Sequence, residues 1–195
     1  MRNTSAIAVL LVAGCAGPRT VPDSPADAFL AAFGVHCGQA FEGRIVANEP
    51  ATPNDPFEGK TLVMHVRDCG PTEVRVPFHV GEDRSRTWVI KRTAAGLDLR
   101  HDHRHADGKP DAVTMYGGET REPGTSVRQE FPVDEFSKTL FVAQGLNVSV
   151  TNTWAVELHP GQRYIYELSR PGRLFRVEFD LSKPVPLPPP VWGYE

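Results

Sequence analysis

The sequence predicts a mainly β protein, either an antiparallel up-and-down β-barrel or a two-sheet β-sandwich, with one short N-terminal helix. About ten segments are rich in β-branched residues and are bounded by Gly, Pro, Asn and Asp, a pattern typical of strands. They follow one another at spacings of roughly 10 to 15 residues, through short connections such as 94–96 and 171–172. Sequential hairpins of this kind favour a meander that closes into a barrel or folds into two facing sheets.

The predicted elements begin with a helix from Ala26 to about Val35. Ser24 followed by Pro25 is typical of a helix start, and Asp27 adds an acid in the first turn, where the helix dipole favours it. A second helix is predicted in "VDEFSKTLFVA", and 117–118 ("GG") is interpreted as a bulge or tight turn. The predicted strands are 43–48, 60–69, 73–80, 86–93, 96–105, 111–119, 125–131, 147–158, 162–170 and 173–181.

The N-terminus has the features of an export signal. A short positive region at Arg2 precedes an apolar run of about eight residues, far below the ~20 that span a bilayer. The segment "VAGC" resembles the lipobox of bacterial lipoproteins, which implies acylation of Cys15 and anchoring in a membrane. Ala16 after the cysteine favours, by the same resemblance, the outer membrane. A plain secretory signal with a chance cysteine is the alternative.

These features divide the chain into four parts. Residues 1–14 are expected to be a signal peptide, 15–25 the lipidated cysteine and its tether, and 26–183 the barrel-like domain. Residues 184–195 form a Pro-rich tail, which cannot join a ladder internally and should lie extended on the surface. Trp192 and Tyr194 are candidates to pack back onto the barrel.

Two cysteines, Cys37 and Cys69, remain in the expected mature chain besides Cys15. In an exported protein such a pair is a candidate disulfide, and two free buried thiols are the alternative.

Charge and motifs narrow the function classes. The formal net charge of −3 and the absence of an uninterrupted basic run argue against nucleic-acid binding. The sequence contains no Gly-x-Ser-x-Gly elbow, Walker loop, GxGxxG or HExxH motif. Nothing in the chain therefore favours a particular catalytic chemistry.

The first predicted strand carries a family resemblance. In "CGQAFEGRIV", Gly38, Phe41 and Gly43 follow the short helix, an arrangement similar to the Gly-x-Trp opening of lipocalin-like (calycin) barrels, with Phe41 in place of the tryptophan. The resemblance implies a barrel that encloses a small ligand. The block "LRHDHRHADGKPDAVTMYGG" also resembles a signature of exported bacterial proteins.

The segment "GLDLRHDHRH" (96–105) predicts a strand with two different faces. Side chains alternate along a strand, so Leu97, Leu99, His101, His103 and His105 share one face. The other face alternates acid and base at 98, 100, 102 and 104, as a solvated surface does. The histidine face therefore points into the barrel or towards its mouth.

The histidine face admits three hypotheses. His101, His103 and His105, with Asp111 beyond the turn, are candidate ligands of a transition metal. The three histidines, together with Leu99 and Tyr116, are alternatively candidate contacts of an organic ligand. The third alternative is that they are neutral, hydrogen-bonded core residues. The loop at 105–113 resembles a calcium loop, but an imidazole in place of its first carboxylate disfavours calcium.

We expect from these observations a lipid-anchored envelope protein that binds a small apolar ligand or lipid in a β-barrel. Metal or haem-type binding through His101, His103 and His105 is one alternative, and a structural envelope protein without a ligand is another.

Overall fold

A computed structural model describes residues 24–51 and 55–194. The helices are α1 (Pro25–Ala32) and α2 (Glu135–Ala143), and two 3-10 helices span Phe33–His36 and Asn147–Thr151. The strands are β1 (Ala40–Glu49), β2 (Leu62–His65), β3 (Asp68–Cys69), β4 (Glu73–Val80), β5 (Asp83–Arg92), β6 (Leu97–His103), β7 (Tyr116–Glu119), β8 (Arg128–Pro132), β9 (Thr153–His159), β10 (Arg163–Arg170) and β11 (Arg173–Val185). No helix of the described ranges is long and apolar enough to cross a membrane.

The strands form one nearly closed antiparallel barrel, so the mainly β prediction is confirmed in its barrel form. Their hydrogen-bonded order is β7-β6-β5-β4-β2-β1-β11-β10-β9-β8, and the short β3 adds to β4. Apart from the β1–β11 pair, and from β2 and β4 with the short β3 between them, neighbours in this order follow each other in the chain, as in an up-and-down meander. The β1–β11 ladder joins the first strand to the last.

The seam between β7 and β8 is closed by the start of α2. The Asp134 amide donates to the Gly117 carbonyl at 3.1 Å, and the buried Ser137 hydroxyl accepts from the Gly117 amide at 2.8 Å. A Cβ atom on Gly118 would lie 1.9 Å from the Pro132 carbonyl oxygen. The prediction of a bulge or tight turn at 117–118 is therefore wrong. Both glycines belong to β7, where the neighbouring backbone segments lie too close to leave room for a side chain.

The end of the barrel below α1 is sealed by that helix. Ser24 caps it as predicted, accepting from the Asp27 amide, and Phe29, Leu30 and Phe33 are buried in the core. The Arg92 guanidinium donates to Asp27 at 2.7 Å, which ties the helix start to the β5–β6 hairpin. The helix ends earlier than expected, because the chain tightens into a 3-10 turn at Phe33–His36.

The predicted disulfide between Cys37 and Cys69 is confirmed. It links the segment after α1 to β3, across a sequence separation of 32 residues. Backbone hydrogen bonds on either side of it join Gly38 and Gln39 to Val66. The bond therefore holds the helical plug against the barrel wall.

The C-terminal tail lies along the outer surface of the barrel. Val191 is buried, and the Tyr194 hydroxyl donates to Asp102 at 2.8 Å while accepting from Arg75 at 2.8 Å. The Arg67 guanidinium stacks 4.3 Å from the centre of the Tyr194 ring. Asp102 is consequently buried, so the fully solvated acid–base face predicted for this strand is wrong at that position.

Several element boundaries differ from the sequence-based expectation for structural reasons. The predicted strand 111–119 is a strand only from Tyr116, because the chain bends over 111–115 and Met115 has a positive φ of 57°. The predicted strand 60–69 is split into β2 and β3, and the break lies opposite Pro77, which has no amide to donate. The first part of the predicted strand 147–158 is instead the 3-10 helix Asn147–Thr151, which follows α2. The strand β11 continues to Val185, so the tail begins later than residue 184. The expected signal peptide and Cys15 lie outside the described residues.

We expect the Cys37–Cys69 disulfide to contribute substantially to stability. Replacing both cysteines with serine should lower the free energy of unfolding by about 2–5 kcal/mol, because the unfolded chain regains the freedom of a long loop. Urea denaturation of the oxidised protein and of the double variant measures the difference. A reductant should destabilise the parent protein but leave the variant unchanged; equal stability of the oxidised parent and the variant would contradict this role.

The close approach at the barrel seam predicts a contrast between two glycines. Gly118→Ala should lower the free energy of unfolding by about 1–3 kcal/mol or more, because its methyl group collides with the backbone of β8. Gly34→Ala is the matched control, since a Cβ there meets nothing within 4 Å. Thermal denaturation checks both variants, and an equal effect of the two would refute the steric explanation.

Candidate functional site

The inner face of β6 leads from the packed core to the open end of the barrel. Leu97 and Leu99 are fully buried, His101 is 3% exposed, and His103 is half-buried. The strand ends at His103, and the His105 side chain beyond it is 60% exposed. The alternation predicted for this segment therefore holds for four residues and ends with the strand.

A cavity of about 300 Å³ opens at the barrel end opposite α1, and we call it the mouth cavity. An adjoining hollow of about 60 Å³ continues inward and shares Phe57, Arg86, His103, Tyr116 and Tyr166 with it. The volume lies at the lower end of the range of small-molecule sites. The mouth cavity is lined by Phe57, Arg86, His103, Val113, Tyr116, Phe141, Leu146, Ser149, Asn152, Trp154, Tyr166, Leu168, Arg170 and Phe175.

Below the mouth cavity the barrel is filled by stacked aromatic rings. The Trp88 ring stacks on Tyr166 with centroids 4.5 Å apart and on Phe78 at 4.8 Å. Tyr164 and Phe179 pack beside them and are completely buried. These rings form the floor of the cavity and give it a rigid apolar base.

His101 is held as a neutral imidazole in the cavity floor. Its Nδ1 lies 3.2 Å from the Tyr116 carbonyl oxygen, which can only accept, so Nδ1 carries the proton. Its Nε2 then accepts from the Tyr166 hydroxyl at 2.8 Å. Burial, and then the neighbouring His103, lower the pKa of His101 to about 3. Both ring nitrogens are therefore occupied by protein partners.

His103 and Tyr116 form a polar pair on the cavity wall. His103 Nε2 and the Tyr116 hydroxyl oxygen are 3.1 Å apart and share a hydrogen bond. Burial, and then the Arg86 cation, lower the pKa of His103 to about 4. Burial raises the pKa of Tyr116 to about 12. Both groups are consequently neutral at physiological pH and can exchange hydrogen bonds with a ligand without contributing charge.

Two arginines line the mouth cavity. Arg86, on β5, donates to Asp83 at 2.6 Å and lies 5.5 Å from the centre of the Phe57 ring. Arg170, at the end of β10, donates to the Asn152 side-chain oxygen at 3.3 Å. No Asp or Glu is among the described residues that line the cavity.

The four candidate metal ligands are not brought together around one point. His105 Nε2 lies 3.8 Å from Asp111, at a partly exposed position outside the mouth cavity, whereas His101 is enclosed by Tyr116 and Tyr166. In the ranges 24–51 and 55–194, no three His, Cys, Asp or Glu side chains are grouped as a metal site requires. The geometry therefore lends no support to the metal hypothesis.

Of the five candidate contacts of an organic ligand, some lie at the mouth cavity and others do not. The structure places His103 and Tyr116 on the mouth cavity and His101 on its inner extension. Leu99 lies deeper in the packed core and His105 outside, so neither lines the space. The sequence-based prediction missed two lining residues, Arg86 and Arg170. Arg86 lies on the same face of β5 as Trp88, and Arg170 lies on the same face of β10 as Leu168. The period-two argument used for β6 would have placed both on the inner face.

The fold and the site define a class: a nearly closed up-and-down β-barrel, sealed at one end by a helix, with a small aromatic cavity at the other. Comparison with known proteins found no family model, no curated protein and no solved structure that matches the chain.

The buried His101 predicts a loss of stability in mild acid. In the unfolded chain its pKa is near 6.5, whereas in the folded protein it is about 3. As the pH falls below 6.5, the unfolded chain takes up a proton that the folded protein does not. The free energy of unfolding should therefore decrease by about 1.4 kcal/mol per pH unit from this residue.

Urea denaturation between pH 7 and pH 5 measures this effect, and His101→Gln should reduce the slope of stability against pH. NMR of the native protein should show the Nδ1–H neutral tautomer of His101 throughout this range. A His101 titration midpoint near pH 6.5 in the folded protein would show the prediction to be wrong.

Proposed function

We propose that the protein binds a small, largely apolar ligand in the mouth cavity. The observation that carries the proposal is the contrast between the two ends of the barrel. One end is filled by Phe29, Leu30 and Phe33 of the N-terminal helical segment, whereas the other encloses about 300 Å³ beside Trp154 and Tyr116.

The lining of the mouth cavity supports an apolar ligand with an aromatic or similarly compact body. Phe57, Phe141, Trp154 and Phe175 line it with aromatic rings, and removing apolar surface of a ligand from water contributes about 25 cal/mol per Å². The polar groups are few and convergent, as in most small-molecule sites. The volume favours a compact ligand over a long acyl chain.

The place of action is also part of the proposal. The lipobox-like "VAGC" segment supports export and anchoring at the outer membrane through Cys15, and a disulfide suits an oxidising compartment. The helix that precedes an up-and-down barrel supports the lipocalin-like resemblance. We therefore propose a lipid-anchored binding protein of the cell envelope.

Binding of 2-naphthamide, a neutral bicyclic probe, tests the proposal. NMR titration should shift the Trp154 indole and Phe141 amide signals, with a Kd on the order of 0.1 mM for a ligand of this size. Ser149→Phe should abolish these shifts, because the new ring occupies the cavity that Ser149 lines.

Thr151→Phe is the matched control, since Thr151 belongs to the same 3-10 helix but is exposed and does not line the cavity. It should leave binding unchanged. Absence of binding to the parent protein, or equal binding to the Ser149→Phe variant, would overturn the proposal.

A further inference from the structure

Resting on this proposed function, we infer that the ligand is a compact aromatic acid whose carboxylate is bound by Arg170. Arg170 would thereby select the chemical class of the ligand and set its orientation, and the geometry and charge of the cavity wall support this role.

The two cations of the mouth cavity differ in what they already bind. The Arg86 guanidinium is paired with Asp83 at 2.6 Å, so its charge is balanced within the protein. Arg170 has one hydrogen bond, from Nη1 to the Asn152 amide oxygen at 3.3 Å. Within the described ranges, no carboxylate lies within 4.0 Å of its guanidinium nitrogens. Arg170 is thus the cation available to a ligand.

The surroundings of Arg170 stabilise its positive charge less well than water does. Partial burial, and then the nearby Arg173 cation, lower the pKa of the Arg170 guanidinium. Arg170 and Arg173 occupy opposite positions in the β10–β11 ladder, next to the turn. Arg173 lies 3.9 Å from Asp55 and donates to the Pro50 carbonyl. A carboxylate beside Arg170 would offset this repulsion.

The chemistry of a guanidinium suits a carboxylate in particular. Arginine presents five N–H donors in a planar fork, and Asn152 engages one of them. The remaining donors can bind both oxygens of a carboxylate, an arrangement stronger and more directional than a neutral hydrogen bond.

The position of Arg170 on β10 sets the orientation of the ligand. Tyr166, Leu168 and Arg170 share the inner face of this strand and follow one another from the cavity floor to its rim. A carboxylate at Arg170 therefore lies at the rim, with the apolar body directed towards Tyr166 and Trp154. The neutral His103–Tyr116 pair flanks that body, where it can bond a second polar substituent.

A pair of probes that differ only in charge tests the inference. At pH 7, 2-naphthoate is an anion and 2-naphthamide is its neutral analogue. Isothermal titration calorimetry should show 2-naphthoate binding about 10- to 100-fold more tightly, as expected for a charge-assisted bidentate contact. Raising the salt concentration should weaken the binding of the anion only.

Arg170→Gln should lower the affinity for 2-naphthoate about 10- to 100-fold and leave the affinity for 2-naphthamide within about twofold. Arg170→Lys should fall between the two, because it retains the charge but loses the planar fork. Arg163→Gln is the matched control: Arg163 begins the same strand at the opposite end of the barrel and is exposed.

The outcomes separate this inference from the proposed function. Equal binding of the two probes, or an equal loss of both in Arg170→Gln, would overturn the role of Arg170 while leaving an apolar binding site in place. Binding of neither probe to the parent protein would overturn both.

Discussion

The pairing of β1 with β11 is the interaction on which the rest of the structure depends. Its ladder runs from Ala40 opposite Val185 to Glu49 opposite Leu174, and it joins strands from the two ends of the folded chain. Every other strand pairing joins consecutive strands, apart from β2–β4, which are separated in the chain only by the two-residue β3. Without this ladder the strands would form two separate sheets, β1–β7 and β8–β11, because no ladder joins β7 to β8. With it, they form one sheet that curves until β7 meets β8 at a short seam.

Closure of the barrel also decides where the open space lies. The segment before β1 must start at one end of the barrel, and there α1 fills the interior with Phe29 and Phe33. At the other end, α2 and the following 3-10 helix cross the rim instead of entering, so a cavity persists above the Trp88 stack. The disulfide and the Arg92–Asp27 ion pair keep the plug in place.

The electrostatics of the cavity follow from which polar groups find partners inside the protein. His101 is tolerated in the floor because Tyr116 and Tyr166 satisfy both of its nitrogens, and burial keeps it neutral. Arg86 is balanced by Asp83. Of the two lining arginines, only Arg170 keeps donors without an acidic partner in the described ranges, and the acidic character that we infer for the ligand rests on this residue.

Local physics made much of the fold predictable from sequence. Helix capping at Ser24, turn residues and period-two alternation located α1, most strands and the inward face of β6. The expectation of export made Cys37 and Cys69 a candidate pair. Tertiary structure decided what depends on contacts between distant segments. The choice of a barrel over a sandwich depends on the β1–β11 ladder. Gly118 is required because β8 approaches it closely, and Asp102 is buried because the C-terminal tail covers it. The mouth cavity belongs to this second group, because strands and loops far apart in the chain supply its walls, and no local pattern encodes their meeting.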